Sequence, residues 1–148
     1  MSNLMQNNMQ QANLQDTDLY TLQLQSVPES ITILENLIEE IADKYKISED
    51  VFANMMTCLN EALNNAMLHG NKKDPNKKVI INAEVDGRRI TWTITDEGEG
   101  FDYVHLADPT APENLEALTS RGVFIIKHLA DQCVFNAAGN EVELLFKI

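Results

Sequence analysis

The stretch KKVIINAEVDGRRITWTIT, residues 77 to 95, constrains the fold more than any other part of the chain. Two runs that alternate apolar and polar residues flank Asp86-Gly87. An Asp-Gly pair between such runs is a strong two-residue hairpin signal. With Asp86 and Gly87 as the turn, Val79 faces Ile94, Ile81 faces Trp92 and Ala83 faces Ile90 on one side of the ribbon. Glu84 then opposes Arg89, and Asn82 opposes Thr91, on the other side. One register satisfies both the apolar alternation and the charge pairing. Such a ribbon has one apolar face, and the rest of the chain has to cover it.

The segments around the hairpin supply that cover. DLYTLQLQS, residues 18 to 26, reads as a strand with Tyr20, Leu22 and Leu24 inward. SVPES then begins a helix, with Ser26 or Ser30 as its cap and Pro28 in its first turn. This helix runs to about Tyr45 and carries Ile31, Leu34, Ile38 and Ile41 on one stripe. Ser48 with Asp50 opens a second helix that continues to His69, where Gly70 ends it. Beyond Asp102 the chain is irregular around Pro109 and Pro112, then forms a short helix near Glu113 to Leu118. Ser120-Arg121-Gly122 introduces a further helix from Val123 to about Asp131. The chain closes with a hairpin, QCVFNA and EVELLFKI around Ala138-Gly139-Asn140, with Val142, Leu144, Phe146 and Ile148 inward. The Gln- and Asn-rich residues 1–16 read as a disordered tail, and residues 17–148 as a single domain. The order β-α-α-β-β-loop-α-β-β predicts an α+β fold in two layers: a mixed, mostly antiparallel sheet with helices on one face.

Charge narrows the partners. Twenty-three acids against 11 bases give a net charge of -12. This balance repels phosphate backbones and anionic lipid, so nucleic acid and membrane are poor partners and a basic protein is a better one. The N-terminus has no Lys or Arg among its first residues and no greasy core, which argues against a signal peptide. No window approaches the roughly 18 apolar residues of a membrane span. Cys58 and Cys133 sit in apolar periodic segments and read as small buried hydrophobes, so the cytoplasm is the expected compartment. His69, His105 and His128 fall on separate elements without ligand spacing, and no zinc site is expected. His69 reads as a cap or packing residue at the helix end. The Lys72, Lys73, Lys77 and Lys78 cluster reads as a solvated loop, with a partner contact as the second reading.

Three constellations can carry chemistry. On the second helix, Phe52, Met55, Met56, Leu59, Leu63 and Ala66 share one face, with Asn54, Glu61 and Asn65 nearly opposite. A solvated face is normally built from Glu, Lys, Arg and Gln. Here Lys and Arg are absent from Ile47 to Asn71, while Asn stands at 54, 60, 64, 65 and 71. Repeated weak helix formers suggest a polar pocket wall, with Glu61 and Asn65 at i and i+4 aimed at one spot. Second, Asp96 falls just past the hairpin, with Gly98 and Gly100 behind it. This is either a plain loop or a carboxylate set to accept from an exocyclic amine such as that of adenine, with glycines that admit a flat ring. Third, Gly122 opening a helix, with Arg121 beside it, is either an ordinary helix start capped by Ser120 or a phosphate cradle.

Together these residues carry a resemblance. Glu61-Ala62-x-x-Asn65-Ala66-x-x-His69-Gly70, Asp96-Glu97-Gly98-x-Gly100 and Arg121-Gly122-Val123-Phe124 resemble the N, G1 and G2 boxes of the GHKL ATPase superfamily, closest to the anti-sigma-factor serine kinases. The resemblance runs from about residue 18 to the end. It implies a Bergerat-type α/β sandwich that binds ATP and Mg²⁺ between helices and sheet. In that reading Glu61 is the general base, Asn65 helps hold Mg²⁺, and Asp96, Gly98 and Gly100 receive adenine. Ser120, Arg121, Gly122 and Val123 belong to the phosphate-covering region. Ser120 stands where the family usually writes Gly, and Gly139-Asn140-Glu141 where many relatives have Gly-Thr. The implied substrate is a serine of an anti-anti-sigma (STAS-domain) protein, the alternative partner is a sigma factor, and the implied assembly is a homodimer. A non-catalytic, nucleotide-dependent binding module is the other reading. A histidine kinase is disfavoured, because no His is followed by an acid.

Overall fold

A computed structural model describes residues 17–99 and 118–148, with side chains of the last helix from residue 121 onward. The strands are β1 (Thr17–Gln25), β2 (Lys78–Asp86), β3 (Arg89–Thr95), β4 (Gln132–Phe135) and β5 (Glu141–Lys147). The helices are α1 (Ser30–Lys44), α2 (Glu49–Asn65) and α3 (Leu118–Leu129), and a π-helical turn, Ala66–Gly70, extends α2. The sheet order is β1-β2-β3-β5-β4. Every pairing in it is antiparallel, so the expected parallel component is absent among the described residues. The fold is α+β in two layers. The helix expected near Glu113 to Leu118, and the tail expected over residues 1–16, lie outside the described residues.

The hairpin forms where expected, with its register displaced by two residues. Ile81 pairs with Ile94, Ala83 with Trp92 and Val85 with Ile90, and Asp86 faces Arg89. The turn residues are therefore Gly87 and Arg88. Gly87 has φ 58, whereas Arg88 is not among the residues of positive φ. A positive φ at the first central residue alone is the mark of a II′ turn, which places Gly first rather than second. A slip of two leaves every side chain on its own face, so the core side was read correctly and the partners were not.

That face is the floor of the core. Leu24, Val79, Ile81, Ala83, Ile90, Trp92, Ile94, Leu144 and Phe146 lie under Leu34, Ile38 and Ile41 of α1 and Met55, Leu59 and Leu63 of α2, all buried. The opposite face carries Thr21, Asn82, Glu84, Thr91, Thr93 and Glu143, and Leu19 stands 73% exposed at its edge. Tyr20 and Leu22 are partly buried on the inner side, as the alternation required. At the far end of β1, Tyr45 donates to Asp18 and shares a hydrogen bond of 2.9 Å with the Tyr20 hydroxyl. This ties the end of α1 to the start of the strand.

Two caps differ from expectation. Ser48 caps α2, accepting from the Val51 N–H at 3.3 Å. Neither Ser26 nor Ser30 caps α1, whose N-cap is Glu29 without a side-chain bond. Both hydroxyls are buried and bridge backbone instead, Ser30 donating to the Gln25 carbonyl at 2.6 Å and Ser26 to that of Lys77 at 2.8 Å. Pro28 accordingly precedes the helix rather than entering its first turn. Gly70 also does not stop α2 by adopting a left-handed conformation. That role passes to Lys72 (φ 54) and Lys73 (φ 63), whose stretch closes the turn through Lys73 N–H to the Met67 carbonyl at 2.7 Å.

Candidate nucleotide site

The i, i+3, i+4 spacing along α2 and into its π-helical extension puts Ala62, Asn65 and Ala66 toward a cleft whose other wall comes from the sheet and the β4–β5 turn. Small side chains at 62 and 66 leave the gap, and Asn65 and Asp96 both line it. Ile94 and Val142 form its apolar floor, Ile126 of α3 its roof, and Phe135 with Gly139, Asn140 and Glu141 its rim. The cleft is partly open and offers about 20 Å³ of free volume.

Asp96 is 7% exposed. Its Oδ1 accepts from the Gly98 N–H at 2.7 Å, and its own N–H donates to the Asn140 carbonyl at 2.9 Å. Burial pushes this carboxyl above the usual carboxylate range, while the Gly98 N–H and the Lys77 charge pull the other way. Gly70 explains how the carboxylate fits. A Cβ at Gly70 would stand 2.3 Å from the Asp96 Cγ and 2.4 Å from Oδ2. Gly70 is thus small because Asp96 packs on it, not because the helix needs a stop. Gly98 is small for a related reason, since a Cβ there would meet the Gly70 carbonyl at 2.0 Å. Its missing side chain serves the closeness of two backbones.

Glu61 and Asn65, one turn apart on α2, meet α3 at Gly122. A Cβ at Gly122 would lie 2.8 Å from the Glu61 Oε2 and 3.3 Å from the Asn65 Nδ2. Asn65 is buried and Glu61 half-buried. The structure thus brings Glu61, Asn65 and Gly122 together, with Arg121 exposed beside them and Val123 buried. It corrects the expectation that Gly122 opens a helix. Leu118 to Arg121 are already helical, so Gly122 is at least the fifth helical residue and its N–H is committed to the helix ladder. Gly122 instead lets α3 lie close on α2. Gly100 and the side chain of Ser120 lie outside the described residues.

Two residues that support the cleft from behind were not singled out as site residues from the sequence. Asn71 is fully buried and holds the loop after Asp96 through the Glu97 N–H at 2.8 Å. Its only signal was membership in the unusual run of Asn along the second helix. Asn136 gathers the N–H groups of Gly139, Asn140 and Glu141 on its Oδ1 at 2.8, 3.1 and 3.3 Å, which shapes the rim. His69 lies exposed on the π turn, away from the cleft lining. Cys58 is buried, and burial pushes its thiol up to about 12, which leaves it a packing residue. Cys133 is half-buried and free.

The sequence that builds this site matches a known family. The family model described as histidine kinase-like ATPase domain matches residues 24–146. The chain belongs to this family. Among similar proteins is the anti-sigma F factor of Anoxybacillus flavithermus, 32% identical over 103 residues that cover 65% of this chain and 69% of that protein. The serine-protein kinase RsbW of Staphylococcus epidermidis is 26% identical over 136 residues, covering 86% of each. RsbW of Bacillus subtilis is 26% identical over 88 residues, covering 60% of this chain and 55% of that protein. These names place this member of the histidine kinase-like ATPases among the anti-sigma-factor kinases, the branch that its three boxes resemble. No helix among the described residues is long and apolar enough to cross a membrane.

Proposed function

We propose that the protein is an ATP-dependent protein-serine kinase that phosphorylates a serine of an anti-anti-sigma (STAS-domain) protein and otherwise holds a sigma factor or a similar regulator. The observation that carries this reading is that Asn65 and Asp96 line one cleft, with Glu61 a single turn from Asn65. Asp96 supplies an acceptor-only group at the sheet end, suited to an adenine amine and unsuited to the carbonyl of guanine. Asn65 fits Mg²⁺ by its donor chemistry: an amide oxygen is a hard ligand, and Mg²⁺ needs few protein ligands when phosphates and waters complete its shell. Bound Mg·ATP would supply the phosphoryl group. Glu61 would take the proton of the attacking serine hydroxyl, and Arg121 on α3 would add a cation near the phosphates. Ser120, Gly122 and Val123 are the α3 residues that would cover them, and Gly100 would complete the adenine loop. The relatives named as anti-sigma factor and serine-protein kinase support the same chemistry. The cytoplasm and a homodimer are the matching setting.

Calorimetric titration with ATP and GTP, each with and without Mg²⁺, tests the site. Mg²⁺-dependent binding of ATP in preference to GTP is expected. Glu61→Gln then separates a kinase from a non-catalytic module. It should retain ATP binding and lose transfer of the γ-phosphate to a STAS-domain substrate by roughly 100-fold or more. Unchanged partner exchange in that variant, with no transfer by the parent protein, would establish the non-catalytic module instead.

A further inference from the structure

Asn71 sits where four backbone segments meet. Its Nδ2 donates to the Ser26 Oγ at 2.9 Å and to the Lys78 carbonyl at 3.0 Å, while its Oδ1 accepts from the Glu97 N–H at 2.8 Å. Ser26 in turn donates to the Lys77 carbonyl at 2.8 Å. Two acceptors face the amide nitrogen and one donor faces the oxygen, so a flipped amide would set N–H against N–H. The side chain has a single workable orientation, and it is 0% exposed.

Three of these four bonds anchor the hub to the end of β1 and the start of β2, which the sheet already holds together. The fourth reaches the loop that carries Asp96. Among the described residues, that loop has one other backbone tether, from the Asp96 N–H to the Asn140 carbonyl on the opposite rim. The Asp96 carboxylate is therefore aimed by a backbone held from both sides, with Gly70 beneath it. We infer that Asn71 is a positioning residue: by holding the Glu97 N–H it fixes the Asp96 carboxylate toward the cleft and so sets the preference for adenine over guanine nucleotides. This rests on the reading of Asp96 as the adenine acceptor. A carboxylate discriminates between an amine and a carbonyl only if it cannot turn away from the wrong one. Loosening the loop should thus cost selectivity more than it costs affinity for the triphosphate.

The test compares Asn71→Ala with Ser26→Ala by titrating ATP and GTP into each full-length variant. Ser26→Ala removes two hydrogen bonds of the same hub but leaves Asn71 bonded to Glu97, so it controls for lost stability. The ATP-to-GTP affinity ratio should fall roughly tenfold or more in Asn71→Ala and stay within about twofold of the parent in Ser26→Ala. An unchanged ratio in Asn71→Ala, or an equal fall in both variants, overturns the inference. A parent protein that does not prefer ATP overturns it too, and identifies the Asp96 reading as the failed step, because that result precedes any substitution. Should Asn71→Ala not fold, amide exchange in the parent protein decides. Protection of the Glu97 N–H comparable to that of the β3 amides supports the inference, and exchange at open-loop rates overturns it.

Discussion

At the scale of single residues, the site is organised by what is missing as much as by what is present. Asp96 can be buried only because Gly70 has no side chain, and Glu61 and Asn65 can touch α3 only because Gly122 has none. The carboxylate itself carries a cost to folding. Because burial raises its pKa, the folded protein holds that proton more tightly than the unfolded chain does. Its contribution to stability is fullest below the ordinary carboxylate pKa of about 4 and is lost as pH rises through the raised folded value. Asp96→Asn keeps an oxygen for the Gly98 N–H and removes the charge. The variant should therefore be more stable than the parent at neutral pH, with the advantage fading on acidification, as urea melts at the two pH values would read. It should lose the preference for ATP, since an amide can present either a donor or an acceptor. A residue that weakens the empty protein and sharpens its choice of ligand is expected at a binding site.

At the scale of elements, a hairpin and a helix show what a sequence can and cannot tell. Gly87 sits in open space, with nothing within 4 Å of an added Cβ, so its only constraint is φ 58. Gly87→Ala should cost about 1 kcal/mol through that dihedral alone, with an unchanged denaturant slope in urea. The apolar alternation of β2 and β3 was legible because burial on one face enforces period two. The same period hides a slip of two residues, and only the turn geometry at Gly87 decides it. The apolar stripes of α1 and α2 were legible too, including the buried Leu34, Ile38, Leu59 and Leu63. Gly122 was misread because a glycine within a helical pattern looks like a boundary, and its reason for being there is a neighbouring helix distant in sequence. Asn71 left almost no trace, since a buried polar hub has no periodicity. Its partners, Ser26, Lys78 and Glu97, come from three separate stretches. Glu61, Asn65 and Asp96 stood out as candidates because they combine unusual residue choice with recognisable spacing.

At the scale of the whole molecule, a two-layer fold with helices on one face puts Asn65 and Asp96 on one cleft at the seam between layers. A net charge of -12 surrounds that seam, and Lys77 is the cation that moderates Asp96. A nucleotide would bring more negative charge, so neutralisation by Mg²⁺ should matter more here than in a basic protein. The seam is also narrow among the described residues. An apolar cavity of about 150 Å³ is what admits a benzene ring, and a purine is larger, whereas the cleft between Asn65 and Asp96 holds about 20 Å³. Its roof, Ile126, and the Gly122 contact belong to the same helix, so parting α3 from α2 opens both ends of the site together. The consequence is a rate law. Stopped-flow mixing with rising ATP should give an observed rate that levels off at the opening rate instead of climbing linearly, and a linear climb would show that the seam need not open first. The measured affinity would then be the intrinsic one scaled by the fraction of molecules already open. Whatever grips α3, a partner protein included, would set how much ATP the protein can notice.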